Sequence, residues 1–203
     1  MIKINRVLTY YQIDKMVLTG TKYSWLIWLN LIFPWNWRKK SAAGRGEQIR
    51  LALEELGPIF IKFGQALSTR KDLLPQDISI ELVKLQDDCP PFDEVHSKQL
   101  IEAGLKQTVE EAFAEFDPVP MASASIAQVH AATLHTGTEV VVKVVRPDIK
   151  PVIEQDVAIL FGLAKLFEAA VQIAKRLHPV EVVAEFEKTI LDELDMMREA
   201  ANA

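Results

Sequence analysis

Apolar positions recur at helical spacing over most of the chain that follows residue 46. In EQIRLALEELGPIFIKFGQALSTRKDLLP they predict two helices. The first ends at Gly57 and the second starts at Pro58, because glycine favours helix ends and proline favours first turns. Further helices are predicted over residues 75–86, 93–103, 108–115, 151–177 and from Pro179 to the C-terminus. Thr108 and Glu111 form the pattern of a capping box.

A different pattern, rich in β-branched residues, is confined to residues 119–146. Ile126 and Val129 precede the turn-forming tetrapeptide His135–Thr138, and an almost continuous valine run from Val140 to Val145 follows it. Such stretches on either side of a turn predict paired strands. Helices that surround a small antiparallel sheet give an α+β class.

Composition and charge exclude several classes of function. Of the 203 residues, 49% are hydrophobic, which is enough for one large domain or two small ones. Residues 1–50 carry nine Lys or Arg and two acids, whereas the remainder carries 14 basic and 26 acidic residues. An acidic body without a recognised motif argues against nucleic acid as a partner. The four histidines and Cys89 lack zinc-like spacing, so no metal site with fixed ligands is expected.

The basic head of the chain contains an apolar, tryptophan-rich segment, WLIWLNLIFPWNW, followed by Arg38–Lys40. It holds Trp25, Trp28, Trp35 and Trp37. Indole rings and lysines next to an apolar run suit the surface of an anionic membrane. The run has about a dozen apolar positions, fewer than the roughly 20 that a membrane-spanning helix needs. A hydrophobic corner that packs on the body is an equally good interpretation.

The candidate chemistry lies in the loop Ala122–Ser125 and in Lys143, which stands in the valine run. Side chains as small as alanine and serine let the oxygens of a phosphate approach the backbone amides, and a lysine supplies positive charge. In protein kinases a glycine-rich hairpin covers the ATP phosphates, and a strand lysine pairs with the phosphates and with a helix glutamate. His130 either polarises the loop or is a neutral histidine that forms hydrogen bonds within the sheet.

Acidic residues are concentrated in the last predicted helix, at Asp192, Glu193, Asp195 and Glu199. At about 3.6 residues per turn, Asp192, Asp195 and Glu199 share one face of the helix and Glu193 points away from it. Glu199 would stabilise a buried Lys143 if the two met. The alternative is a solvated acidic face with Arg198 as a local partner.

Four motifs in this order resemble the UbiB family of atypical protein-kinase-like proteins of ubiquinone biosynthesis. Lys62-Phe63-Gly64-Gln65 matches the KxGQ motif of that family, and the loop within ASASIAQVH matches its alanine-rich loop. Val140-Val141-Val142-Lys143 stands where the kinase strand lysine belongs. Glu193-Leu194-Asp195 matches the ExD motif, and Glu199 follows it. The resemblance covers residues 45–203.

This resemblance implies a site that binds ATP together with Mg²⁺. The loop would line the phosphates, Lys143 would contact the α and β phosphates, and Glu199 would pair with Lys143. The implied loop residues are Met121, Ala122, Ser123, Ala124, Ser125, Ile126, Ala127, Gln128 and Val129. Lys62, Gly64 and Gln65 would be regulatory residues of a helical extension, with Glu193 and Asp195 as their polar partners.

The resemblance also implies an organisation and a role for the whole protein. Residues 1–45 would be a basic, Trp-rich segment, residues 46–118 the KxGQ extension, and residues 119–203 an incomplete kinase-like N-lobe. The protein would support ubiquinone biosynthesis at the cytoplasmic face of the bacterial inner membrane, bound peripherally. Membrane-bound isoprenoid precursors and other ubiquinone-biosynthesis proteins would be its partners. The alternative is a non-catalytic membrane-binding, lipid-binding or regulatory module.

The residues that transfer phosphate in kinases are missing from this sequence. After Lys143 no aspartate is followed by an asparagine five residues later, and no Asp-x-Gly occurs. The only later histidine, His178, precedes Pro179 rather than an aspartate. We therefore expect this chain to be the N-terminal part of a longer protein. No catalytic residue is assigned within it, and the ligands of Mg²⁺ are expected beyond it.

Overall fold

The computed structural model describes residues 2–19, 21, 24, 41–70, 72–87, 89–172 and 174–194. The chain divides into a helical unit, residues 1–86 and 153–203, and a sheet unit, Asp87–Val152. The boundaries of these units differ from the predicted segment boundaries at residues 45 and 118. The roles predicted for the three segments stay predictions. The four tryptophans, Asp195 and Glu199 lie outside the described residues.

The helices are short except for one of 22 residues, which follows the sheet. Their bounds are α1 Ile2–Tyr10, α2 Ile13–Leu18, α3 Arg45–Leu56, α4 Pro58–Ser68, α5 Gln76–Leu82, α6 Glu94–Leu105, α7 Val109–Ala112, α8 Ile149–Ala170, α9 Ala174–Leu177 and α10 Pro179–Asp192. The predicted break between α3 and α4 is confirmed. Gly57 ends α3 with φ 130°, a conformation that favours glycine, and Pro58 occupies the first turn of α4.

Helices α3, α4 and α5 share one hydrophobic cluster of the helical unit. Ile78, Leu82 and Leu85 are buried there against apolar side chains of α3 and α4. A Cβ added to Gly46 of α3 would lie 2.4 Å from the backbone oxygen of Asp77 in α5, so only glycine allows this approach. The small residue at position 46 therefore sets how closely α3 and α5 pack.

Two predicted helices of this unit differ from the observed ones. The helix predicted over residues 75–86 ends at Leu82, because the chain then tightens into a turn that buries Leu85 to 5% exposure. The helix predicted over residues 151–177 divides into α8 and α9. Helix α9 begins at Ala174, which is completely buried. In both places a tertiary contact outweighs a helical pattern that continues through the sequence.

The sheet unit contains four antiparallel strands, which confirms the predicted α+β class. Their bounds are β1 Glu115–Phe116, β2 Ala122–Ser123, β3 Ala127–Thr133 and β4 Glu139–Val145. β3 is the central strand: β4 pairs along its whole length, and β1 and β2 pair with its two ends. The predicted turn at His135–Thr138 joins β3 to β4, with Gly137 at φ 84° and its N–H 2.8 Å from the Leu134 oxygen.

The predicted helix over residues 108–115 is too long. Its capping box is confirmed, because the Thr108 side chain accepts from the Glu111 N–H and the Glu111 side chain accepts from the Thr108 N–H. Helix α7 nevertheless ends at Ala112, and the chain then pairs with β3 as β1. Ile126, expected in a strand, instead lies in the turn between β2 and β3, where it is 4% exposed.

One face of the sheet packs on α6 and α7. Ala132 of β3 and Val144 of β4 are buried there with Ile101, Val109 and Phe113. Because side chains alternate along a strand, the residues between them lie on the opposite face, which is more exposed. Val141 on that face is 67% exposed. Of the candidate residues of the sheet unit, Lys143 lies on the exposed face and His130 on the buried face.

Candidate functional site

The alanine-rich loop is a tight hairpin between β2 and β3. Ala122 pairs with Val129, Ser123 pairs with Gln128, and the Ala124 N–H donates to the Ala127 oxygen at 2.9 Å. Ser125 and Ile126 form its tip, and both are buried. We call residues 122–126 the β2–β3 loop. Three residues, Ala124, Ser125 and Ile126, join the two strands.

Two side chains fasten this loop. Asp87 accepts two hydrogen bonds from Ser125, one from the backbone N–H at 3.0 Å and one from Oγ at 2.8 Å. Arg146 donates from Nε to the Ala124 oxygen at 3.0 Å and from a terminal nitrogen to the Ser123 Oγ at 3.0 Å. The N–H groups of Ala124 and Ser125 therefore already donate to partners within the protein. Asp87 and Arg146 were not predicted as site residues.

Lys143 lies on the exposed face of the sheet, directly opposite Val129. Val129 also pairs with Ala122 of the loop, so the three residues lie side by side across the strands. Val141, two residues before Lys143, belongs to the same face and pairs with Ala131. The register thus places a lysine, a small loop residue and exposed valine surface together.

The opposite face of β3 carries a buried polar network. The His130 Nδ1 is 2.9 Å from the Asp117 carbonyl oxygen, so Nδ1 carries the proton and donates. Nε2 then accepts from Gln128 Nε2 at 2.9 Å, and Gln128 also donates to Ser97. The Gln128 carbonyl accepts from the Phe92 N–H at 3.1 Å. His130 is therefore a neutral interior histidine of the sheet, as in the second of the two interpretations drawn from the sequence.

The KxGQ residues lie in α4 of the helical unit. Lys62 Nζ is 2.9 Å from Glu193 Oε2, just after α10, and both side chains are partly buried. Gln65 donates to the Leu85 oxygen at 3.1 Å. A Cβ on Gly64 would lie 2.4 Å from Leu85 Cδ1, so this glycine allows a close contact. Lys62 and Gln65 line a cavity of about 350 Å³ with Glu193.

A second cavity in the helical unit is almost entirely apolar. Its volume is about 340 Å³. Side chains of α1 to α4 and of α8 to α10 line it, with Asp14 as the ionisable member. The apolar lining includes Leu8, Val17, Leu18, Ile49, Leu53, Phe60, Phe63, Leu163, Phe167 and Val183. A cavity of this size and polarity suits an apolar ligand better than water.

Two kinds of feature are absent from the residues that the structure describes. Within the part of the chain that the structure describes, no helix is both long enough and apolar enough to cross a membrane. The same residues contain no group of three or more His, Cys, Asp or Glu side chains placed to hold a metal ion.

Comparison with known proteins identifies the family. A model of the ABC1 atypical kinase-like domain matches residues 84–203. The probable protein kinase UbiB of Pseudomonas entomophila (strain L48) is 57% identical over 206 residues, which cover 100% of this chain and 38% of that protein. UbiB of Pseudomonas aeruginosa (strain LESB58) is 53% identical over 208 residues, which cover 100% of this chain and 39% of that protein. The chain thus spans well under half the length of these relatives.

A solved structure, the complex of Rv3197 with erythromycin from Mycobacterium tuberculosis, is 26% identical over 67% of this chain and 35% of that one. Its TM-score of 0.35 is too low to add to the assignment. The resemblance to UbiB drawn from the motifs is confirmed by the curated relatives and by the family model. The model of the ABC1 domain matches more than half of the residues of this chain, so the chain belongs to the ABC1 atypical kinase-like family.

Proposed function

We propose that the exposed face of the sheet binds ATP and that the chain forms part of an ATP-binding atypical kinase or ATPase. The observation that supports this most is the strand register, which sets Ala122, Val129 and Lys143 side by side on one face. A lysine ammonium can pair with phosphate oxygens, while valine side chains offer apolar surface to the flat face of a purine. Family membership supports the use of ATP in general terms.

The residues present fit a nucleotide in part. Lys143 and the small side chains of the loop suit a polyphosphate, but two loop amides already donate to protein oxygens. Mg²⁺ would accompany the phosphates of ATP and neutralise part of their charge. Glu199 is proposed to support Lys143, and it lies outside the described residues. Met121, which precedes the loop, is 65% exposed and could contact the nucleotide.

The test is nucleotide affinity, measured by calorimetry on the protein at its full natural length. Lys143→Met should weaken ATP binding by roughly tenfold or more, because one charge-assisted contact is lost. Binding of adenosine should change little, since it has no phosphate. Lys150→Met, which removes an exposed lysine of the same unit, is the matched control. Equal ATP affinity in the Lys143 variant and in the wild type would contradict the proposed site.

The role proposed for the whole protein is support of ubiquinone biosynthesis, on or beside membrane-bound isoprenoid precursors and with other proteins of that synthesis. We place it peripherally at the cytoplasmic face of the bacterial inner membrane. Similarity to bacterial UbiB proteins supports this role. Lys62, Gly64, Gln65, Glu193 and Asp195 would then regulate the site. The ion pair between Lys62 and Glu193 is the contact through which such regulation could act.

The apolar cavity favours a second candidate function, the binding of a lipid chain. Helices α2 and α3 both line this cavity, and the Trp-rich basic segment lies between them in sequence. A segment of that composition suits an anionic bilayer surface, from which an apolar chain could enter.

Flotation with anionic liposomes tests this second function on the full-length protein. Replacing the four tryptophans by alanine should reduce flotation. Ala164→Phe, which reduces the volume of the cavity, should reduce binding of a fluorescent acyl-chain probe. Gly162→Ala, on the same helix and with nothing within 4 Å of an added Cβ, is the control. Unchanged flotation and unchanged probe binding would remove the lipid function.

A further inference from the structure

An internal carboxylate occupies hydrogen-bond donors of the β2–β3 loop. Asp87 Oδ1 accepts from the Ser125 N–H at 3.0 Å, and Asp87 Oδ2 accepts from the Ser125 Oγ at 2.8 Å. Ser125 is 1% exposed, whereas the carboxylate of Asp87 that meets its two donors is only partly buried. Both oxygens of Asp87 thus accept from Ser125 at the tip of the hairpin, and Cys89 Sγ also donates to Oδ1 at 4.0 Å.

The segment that carries Asp87 is itself held against the loop. One terminal nitrogen of Arg146 donates to the Pro90 oxygen at 2.7 Å and to the Ser123 Oγ at 3.0 Å. The Arg146 backbone N–H donates to the Ile126 oxygen at 2.8 Å, and its guanidinium lies 5.6 Å from the centre of the Phe92 ring. A single arginine therefore ties Pro90 and Phe92, which follow Asp87 in the chain, to the loop.

A phosphate oxygen can accept from the same donors as this carboxylate, the N–H and the hydroxyl of Ser125. Backbone N–H groups and hydroxyls at a tight turn form concave sites that bind anions, and a phosphate and a carboxylate cannot share the same two donors. A carboxylate at the loop also places a negative charge next to any phosphate that approaches it. Both effects oppose the binding of a polyphosphate and leave an uncharged nucleoside almost unaffected.

We propose that Asp87 is an internal anion that competes with the nucleotide phosphates for the Ser125 donors and so limits affinity for ATP. This inference rests on the proposed nucleotide site. It makes Asp87 a specificity-determining residue: the protein would discriminate among nucleotides by the number of phosphate charges, and phosphates would reach the tip of the loop only when Asp87 moves aside.

The test replaces Asp87 by asparagine, which keeps the shape and removes the charge. Asp87→Asn should bind ATP roughly fivefold or more tightly than the wild type, the scale of one like charge at close range in a solvated site. Its affinity for adenosine should stay unchanged, and the gain for ATP should shrink as salt is raised. Asp93→Asn is the matched control, since its side chain is 65% exposed and makes no cap hydrogen bond to α6.

The outcomes separate this inference from the site on which it rests. If the wild type binds ATP and Asp87→Asn binds it equally or more weakly, Asp87 does not compete with phosphate and the inference falls alone. If neither protein binds ATP, both proposals fall. An equal gain in affinity for adenosine and for ATP would also overturn the inference about Asp87. Such a gain would come from a general loosening of the loop, which does not depend on phosphate charge. Asp87→Ala, which removes both acceptors, should raise ATP affinity at least as much as asparagine does.

Discussion

Gly46→Ala should destabilise the contact between α3 and α5. The added Cβ would lie 2.4 Å from the Asp77 backbone oxygen and 3.1 Å from Glu81 Cγ, whereas ordinary contact begins at 3.4 Å. The shortfall at the oxygen is therefore 1.0 Å, and a backbone atom cannot turn aside as a side chain can. Overpacking of this kind costs about 1–3 kcal/mol.

The intrinsic preference of alanine for helices acts in the opposite direction. Alanine in place of glycine stabilises a helix interior by about 0.5–1 kcal/mol. Gly46 is the second residue of α3, where this gain is smallest. The net expectation is a loss of roughly 1–2 kcal/mol in the free energy of local opening. Gly162→Ala, in open space on α8, should show the gain alone.

Hydrogen exchange of the α3 and α5 amides measures this opening in the full-length protein, where global unfolding need not be two-state. A loss of 1.4 kcal/mol corresponds to roughly tenfold faster exchange. Gly64→Ala should fall between the other two variants, because its added Cβ meets only leucine methyl groups that can rotate away. Exchange in Gly46→Ala as slow as in the wild type would refute the argument.

Three further predictions concern single side chains. Thr108→Ala removes half of the capping box and should lower the stability of α7 by about 1 kcal/mol, seen as faster amide exchange there. Burial raises the pKa of Asp156 despite the nearby Lys3, so the folded state binds this proton more tightly and stability falls as pH rises through the raised pKa. Asp156→Asn should therefore raise the Tm at neutral pH, and the gain should vanish near pH 3.8; a gain equal at both pH values would contradict this. Arg146→Met should speed amide exchange across residues 123–126, and unchanged exchange would show that the loop does not depend on it.

Elements with strong local signals could be predicted from the sequence. Gly57-Pro58 separates α3 from α4 because each residue has its own backbone preference, and the capping box at Thr108 is a local exchange of hydrogen bonds. The same holds for the turn at Gly137. Strand β1 could not be predicted, since its two residues become a strand only by pairing with β3. Its sequence alone continues a helical pattern.

The hairpin of the loop and the strand position of Lys143 were predictable from the sequence, but the residues that fasten the loop were not. Asp87 and Arg146 lie 38 and 22 residues from their loop partners, so no local pattern relates them. Asp87 lies shortly before two prolines, and Arg146 lies directly before one. From sequence alone, such positions indicate only the end of a helix or a strand. The prediction that the loop amides face a phosphate therefore did not include Asp87 as an acceptor for the Ser125 N–H.

The buried polar network determines which residues of β3 lie on the exposed face of the sheet. Gln128 and His130 point inward and are fully satisfied there, which leaves Val129 on the exposed face opposite Lys143. A slip of one residue would turn His130 outward and break its bonds to Gln128 and the Asp117 oxygen, at the cost of several buried polar groups. The polar interior thus discriminates strongly between registers, whereas a run of valines in β4 would not. The polar interior therefore fixes which face of β3 carries Val129, the residue that pairs with Lys143.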